Sequence, residues 1–127
     1  MGGALEPEPF RIDIRFDAQG FVVVKTEGLI NDRALASLFA ASAEAAQKYG
    51  CTHFFLDHRG SRLQLETVEI YEVPARLQRH LMGYRTALVF SKIGDDESFL
   101  EVVCANRGVT AKVFTDAVRA VTWLMER

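Results

Sequence analysis

Residues 54–61, Phe-Phe-Leu-Asp-His-Arg-Gly-Ser, place a carboxylate, an imidazole and a hydroxyl at Asp57, His58 and Ser61, directly after an apolar run. These are the parts of a nucleophilic hydrolase: an orienting acid, a base and a nucleophile. In such a triad the histidine stands between the other two in space, and adjacent residues on an extended chain point to opposite sides. The sequence also has no Gly-x-Ser-x-Gly elbow to expose a serine. The spacing argues against hydrolysis, and no catalytic residue is assigned. Two readings of the stretch stay open. Asp57 closes a strand end while His58 and Arg59 are solvated and Gly60 lets the chain turn, or the residues form the rim of a binding surface.

Other chemistries fare no better. Asp57 at a strand end and Ser91 one strand on match two places of a phosphoacceptor receiver site. The following strand ends in Thr115 where that site needs Lys, and the first strands lack an acidic pair for Mg²⁺. His53, His58 and His80 with Cys51 share no zinc spacing, so no metal or cofactor is expected. Cys51 and Cys104 are far apart and fit a reduced, cytoplasmic protein.

The elements that would position these groups follow from periodicity. Phe10, Ile12, Ile14 and Phe16 alternate with charged residues, which predicts an edge strand with one wet face. A turn at 17–20 leads into the buried strand at 21–24, forming a hairpin. Asn31 caps a helix whose inner face carries Leu35, Leu38, Phe39, Ser42, Ala45, Ala46 and Tyr49, and Gly50 ends it. Strands follow at 52–57, 84–91 and 111–114. Between them lie a helical stretch at 66–80 broken by Pro74 and a helix capped by Asp95 or Asp96, with Phe99, Val102, Val103 and Asn106 on one face. Thr115 caps a last helix lined by Val118, Val121, Leu124 and Met125. Strands separated by helices pair in parallel through right-handed crossovers. The expected fold is a single α/β domain spanning 10–127 after a lead-in of residues 1–9. Its sheet is mostly parallel, of about five strands, with one antiparallel edge strand and flanking helices.

With 127 residues, 49% of them hydrophobic, the chain is long enough to bury a core unaided. A formal net charge of −2 gives no pull toward nucleic acid, and no apolar run is long enough for stable membrane insertion. Residues 1–9 lack the basic start and apolar stretch of a signal peptide.

The order and spacing of 54–61, Glu-Ile-Tyr-Glu-Val-Pro-Ala-Arg-Leu at 69–77, Ala-Leu-Val-Phe-Ser at 87–91, 106–116 and Ala-Val-Thr-Trp-Leu at 120–124 resemble the SpoIIAA-like group of STAS domains. That group is connected by fold to SEC14-type lipid-binding domains. The resemblance covers nearly the whole chain and implies a non-enzymatic regulatory or binding module. Its best-known members are anti-sigma factor antagonists, switched by phosphorylation of a serine just after a central strand. The corresponding place here is Asp57-His58-Arg59, with no hydroxyl until Ser61, a departure from the pattern.

Ligands of open α/β sheets gather beyond the carboxyl ends of the strands, where helix N-termini offer N–H groups to anions. The residues expected there are Asp57, His58, Arg59, Ser61, Ser91, Lys92, Thr115 and Asp116, with Thr26 and Glu27 beside them. The expected occupant is a partner protein or a small anionic ligand. The alternatives are a lipid or acyl ligand in an apolar crevice, which Leu77, Leu81 and Met82 near the basic Arg76, Arg79 and Arg85 would suit, and a second copy of the chain in a homodimer.

Overall fold

The computed structural model describes residues 9–81 and 83–126; residues 1–8 of the lead-in and Met82 lie outside them, as do the side chains of His80 and Leu81. The alternating segment forms β1 (Arg11–Asp17), and the Val-rich run forms β2 (Phe21–Ile30) antiparallel to it. Asp17 makes the turn, its carboxylate accepting the Gln19 N–H at 2.9 Å. Phe16 stays half exposed but stacks on Tyr49 with ring centroids 5.2 Å apart. Helix α1 (Asp32–Tyr49) starts where the Asn31 side chain accepts the Ala34 N–H and closes at Gly50. Its buried face is the expected one with Ala34 added, except that Tyr49 is only half-buried.

The remaining elements are β3 (His53–Leu63), α2 (Thr67–Leu81), β4 (Arg85–Val89), α3 (Asp95–Asn106), β5 (Thr110–Phe114) and α4 (Ala117–Leu124). The strands lie in the order β1-β2-β3-β4-β5, parallel from β2 onward. Every crossover therefore steps the same way across the sheet, and crossovers of one hand then put their helices on one face. Residues of α1, α2 and α3 share one core with Val22, Val24, Phe54, Leu56 and Leu88. Among the described residues only α4 covers the other face, packing Ala120 and Leu124 on Phe21, Val23, Phe55 and Val89. Because the strand order never reverses, the sheet has no crevice of the kind that such a reversal opens.

Both outer edges are blunted against further pairing. On β5 the Val113 N–H donates to a Glu101 carboxylate oxygen at 2.7 Å. On β1 the exposed Arg11, Asp13 and Arg15 alternate along the strand.

The structure corrects four local expectations. Pro74 does not break α2; it sits buried inside the helix between Ile70 and Leu77, where packing offsets the lost N–H donor. Gly94, not Asp95 or Asp96, stands at the start of α3, its N–H donating to Glu97 at 2.7 Å. The buried face of α3 is Leu100, Val103 and Cys104, and Val102 is exposed. Asp116, not Thr115, caps α4, accepting the Val118 and Arg119 N–H groups, and Val118 and Met125 face outward.

Candidate functional site

The opening stretch is not the end of a strand. β3 continues through Leu63, paired with β2 as far as Ile30↔Leu63. Its register steps from Lys25↔Asp57 to Glu27↔Gly60, so β3 carries one extra residue, a β-bulge. The bulge changes which residues face the three-helix side: Phe54, Leu56 and His58 before it, Ser61 and Leu63 after it. Gly60 does not make a turn. It lies inside the strand where a Cβ would come within 3.3 Å of the Thr26 carbonyl oxygen and the Glu27 side chain.

The bulge brings His58 and Ser61 to a partner on the neighbouring strand. Thr26 Oγ1 lies 2.7 Å from His58 Nδ1 and 2.7 Å from Ser61 Oγ. All three side chains are buried, and the His58 ring packs on Phe90 at 5.2 Å. Ser61 O–H donating to Thr26, and Thr26 O–H donating to neutral His58, satisfies the cluster. Burial pushes His58 down to about 4, with the charge of Asp57 opposing the shift. His58 is thus a core imidazole, contrary to the expectation of a solvated one.

The Asp57 side chain leaves the strand on the opposite face, while its main-chain carbonyl accepts from Thr26 Oγ1 at 3.4 Å. Its two carboxylate oxygens accept from Nε and Nη2 of Arg59, each at 2.9 Å, and one also accepts the Arg59 N–H at 3.1 Å. The guanidinium beside it holds the Asp57 carboxyl below its ordinary value. The acid, imidazole and hydroxyl are therefore split between two separate arrangements. Thr26, not His58, stands at the centre of the buried one. Its role is invisible in sequence, because it lies 32 positions before His58.

Above the cluster an open groove of about 610 Å³ runs over the carboxyl ends of β2 and β3. Glu27, Gly28, Leu29, Arg59, Ser61 and Arg62 line it together with Gly60 and, from beyond β4, Ser91. Gly28 is in the left-handed region at φ 106°, and a Cβ there would meet the Phe10 main chain at 3.3 Å. Of the expected site residues, Arg59, Ser61 and Ser91 meet here, with Asp57 and His58 beneath or beside them. Lys92, Thr115 and Asp116 are exposed and line no part of the groove. Arg62, Gly28 and Leu29 were not expected.

The anion cradle expected from helix N-termini does not form. Asp95, Asp96 and Glu97 crowd the first turn of α3, and Asp116 occupies the N–H groups of α4. Nor do Arg76 and Arg85 share a patch: Arg76 pairs with Asp32 at 2.6 Å, while Arg85 lies 3.9 Å over the Trp123 ring. The apolar space inside the three-helix core, bounded by Leu63, Leu77 and Phe90 among others, measures about 40 Å³. Cys104 borders it, and burial pushes its thiol up to about 12, so it stays protonated. Among the described residues no helix is long and apolar enough to cross a membrane.

This arrangement of sheet and helices recurs in solved structures. An uncharacterised protein of the DUF3478 family from Shewanella loihica PV-4, with a SpoIIAA-like fold, is 16% identical, matches 97% of this chain and 99% of its own, and has a TM-score of 0.61. An anti-sigma factor antagonist from Mycobacterium paratuberculosis is 15% identical over 93% of this chain and 96% of its own, at a TM-score of 0.62. This chain has the SpoIIAA-like fold. The anti-sigma factor antagonist SpoIIAA itself, in its unphosphorylated form, is 16% identical over 91% of this chain and all of its own, at a TM-score of 0.53. No protein-family model matches the sequence, and neither does any curated protein.

In this SpoIIAA-like chain Ser61 lies within β3, not beyond the strand end as its spacing suggested. It is 6% exposed and bonded to Thr26. A kinase would have to pull it out of that network, so Ser61 is expected to remain unmodified. Mass spectrometry of the protein purified from its host checks this; stoichiometric phosphate on Ser61 would contradict it.

Proposed function

We propose that this chain is a regulatory module without catalysis of its own, which docks a partner protein across the groove over β2 and β3. One observation carries the reading: Thr26 holds His58 and Ser61 in a buried cluster while Asp57 is paired to Arg59, so neither His58 nor Asp57 faces a free nucleophile. What remains open to a partner is a broad surface of mixed charge, bearing Glu27, Arg59, Arg62 and Ser91. Two of the similar folds are described as anti-sigma factor antagonists, which supports a role exerted on another protein. Carriage of an acyl ligand would need an internal cavity of roughly 300 Å³ or more. The 40 Å³ in the core supports docking over carriage.

The test compares capture of host proteins by wild type, Arg59→Ala, Arg62→Glu and, as a control on the exposed face of α1, Glu44→Lys. The Arg59 side chain is 48% exposed, but Asp57 is buried, so losing the pair leaves a shielded carboxylate and should cost about 1–3 kcal/mol, with capture compared well below each protein's melting point. Binding of the captured partner should weaken at least about tenfold in both arginine variants, as for a lost charge-assisted contact. Equal capture by all four proteins would reject the groove as the docking surface.

A further inference from the structure

The two strand pairings of β3 end at different places. Against β4 the ladder stops at Asp57↔Val89, whereas against β2 it runs to Ile30↔Leu63. Residues 58–63 therefore extend beyond β4, and among the described residues no strand lies along their other side. The Gln64 N–H donates to the Ile30 carbonyl at 2.9 Å. Main-chain groups alternate sides along a parallel ladder. Gly60 and Arg62 thus bond toward β2, while Ser61 and Leu63 turn their N–H and C=O groups to the open side. The Arg59 N–H, first on that side, is already taken by Asp57 at 3.1 Å. Unlike β5, this edge has among the described residues no side chain such as Glu101 closing its N–H groups further along. The groove runs beside it, with Ser91 across the gap.

Charge narrows what would lie there. Arg59 gives Nε and Nη2 to Asp57 and keeps one guanidinium nitrogen for the groove, whereas Arg62 is exposed and forms no ion pair among the described residues. Glu27, the acidic residue of the groove, is on β2, away from the open edge. We infer that the partner of the docking reading inserts an extended acidic segment as an added strand along residues 59–63. The main chain of Ser61 and Leu63 supplies the ladder, and Arg62 pairs with a carboxylate of the segment. This inference rests on the docking reading but goes further, since docking alone needs no strand addition.

The experiment pans a random dodecapeptide library against the full chain and follows amide hydrogen exchange with the best peptide. Recovered peptides are expected to carry Asp or Glu among β-branched residues, without proline in the middle, and to slow exchange at Ser61 and Leu63. N-methylating alternate residues of the peptide removes its ladder N–H groups and should weaken binding at least about tenfold, as should Arg62→Glu in the protein. No enrichment, or binding that leaves both amides exchanging as in the free chain, overturns strand addition. Protection that rises with protein concentration and no peptide also overturns it, in favour of a second copy on the edge. A host partner that binds without protecting these amides rejects the added strand and leaves the docking reading standing.

Discussion

Acidification from pH 7 to pH 4 is expected to remove about 3 kcal/mol of folding stability through His58 alone. Burial holds this imidazole at about 4 in the folded chain against an ordinary 6.5. Between those values the unfolded chain takes up a proton that the folded one refuses, so falling pH favours unfolding. Above 6.5 both forms are neutral and the effect vanishes; below about 4 both are charged and the loss levels off. Protonation would not break the contact to Thr26, because Nδ1–H can donate where it formerly accepted. The cost is that of an imidazolium enclosed beside Phe90. Asp57, held below its ordinary 3.8 by Arg59, adds its own loss only at the acid end. Urea unfolding of wild type and His58→Gln at pH 7, 6, 5 and 4 separates the two. The variant should start less stable and lose much less on the way down. Parallel curves would mean that His58 is not the group responsible.

Thr26→Val is expected to cost about 3 kcal/mol at neutral pH, although it changes hardly any volume. The valine keeps the packing of a β-branched residue but leaves His58 Nδ1 and the Ser61 hydroxyl buried without their common partner, at about 1–3 kcal/mol for each unsatisfied group. Ser61→Ala supplies the check. In the wild type it should cost about 1 kcal/mol, and in the Thr26→Val background it should instead recover about 1 kcal/mol or more, because it removes a hydroxyl already left buried without a partner. Chemical denaturation of the four proteins gives the cycle. Equal costs of Ser61→Ala in both backgrounds would show that the three side chains do not act as a unit.

Periodicity alone located the sheet and the first helix, for a physical reason. Phe10 to Phe16 alternate strictly, Val22 and Val24 lie within an uninterrupted apolar run, and α1 has a single apolar stripe closed by Asn31 and Gly50. α3 was misread because Phe99, Leu100, Val102, Val103 and Cys104 surround most of the helix, so that more than one face fits the spacing. The start of α4 was missed by a single position, Thr115 and Asp116 both being good caps. The larger error fell on the candidate site. His-Arg-Gly-Ser-Arg reads as a turn because its residues are polar. It is held as strand by β2 and satisfied by Thr26, and neither partner is near it in sequence. The ion pair of Asp57 with Arg59, by contrast, needs no distant partner, since residues two apart on a strand share a side.

The uninterrupted order of the strands also bears on how the chain is made. Each strand pairs with the one synthesised just before it, from β1 through β5. Only a hairpin turn or a single helix has to be closed at each step, and the entropy lost in closing a loop grows with its length. The β1–β2 hairpin can thus serve as the template for β3, and the growing sheet for each later strand, while the rest of the protein is still on the ribosome. Among the described residues α4 alone covers the second face, and it is synthesised after all five strands. Until then, Phe21, Val23 and Phe55 have no helix over them. The interval before α4 docks is therefore when the nascent chain is most open to chaperones and to misassociation.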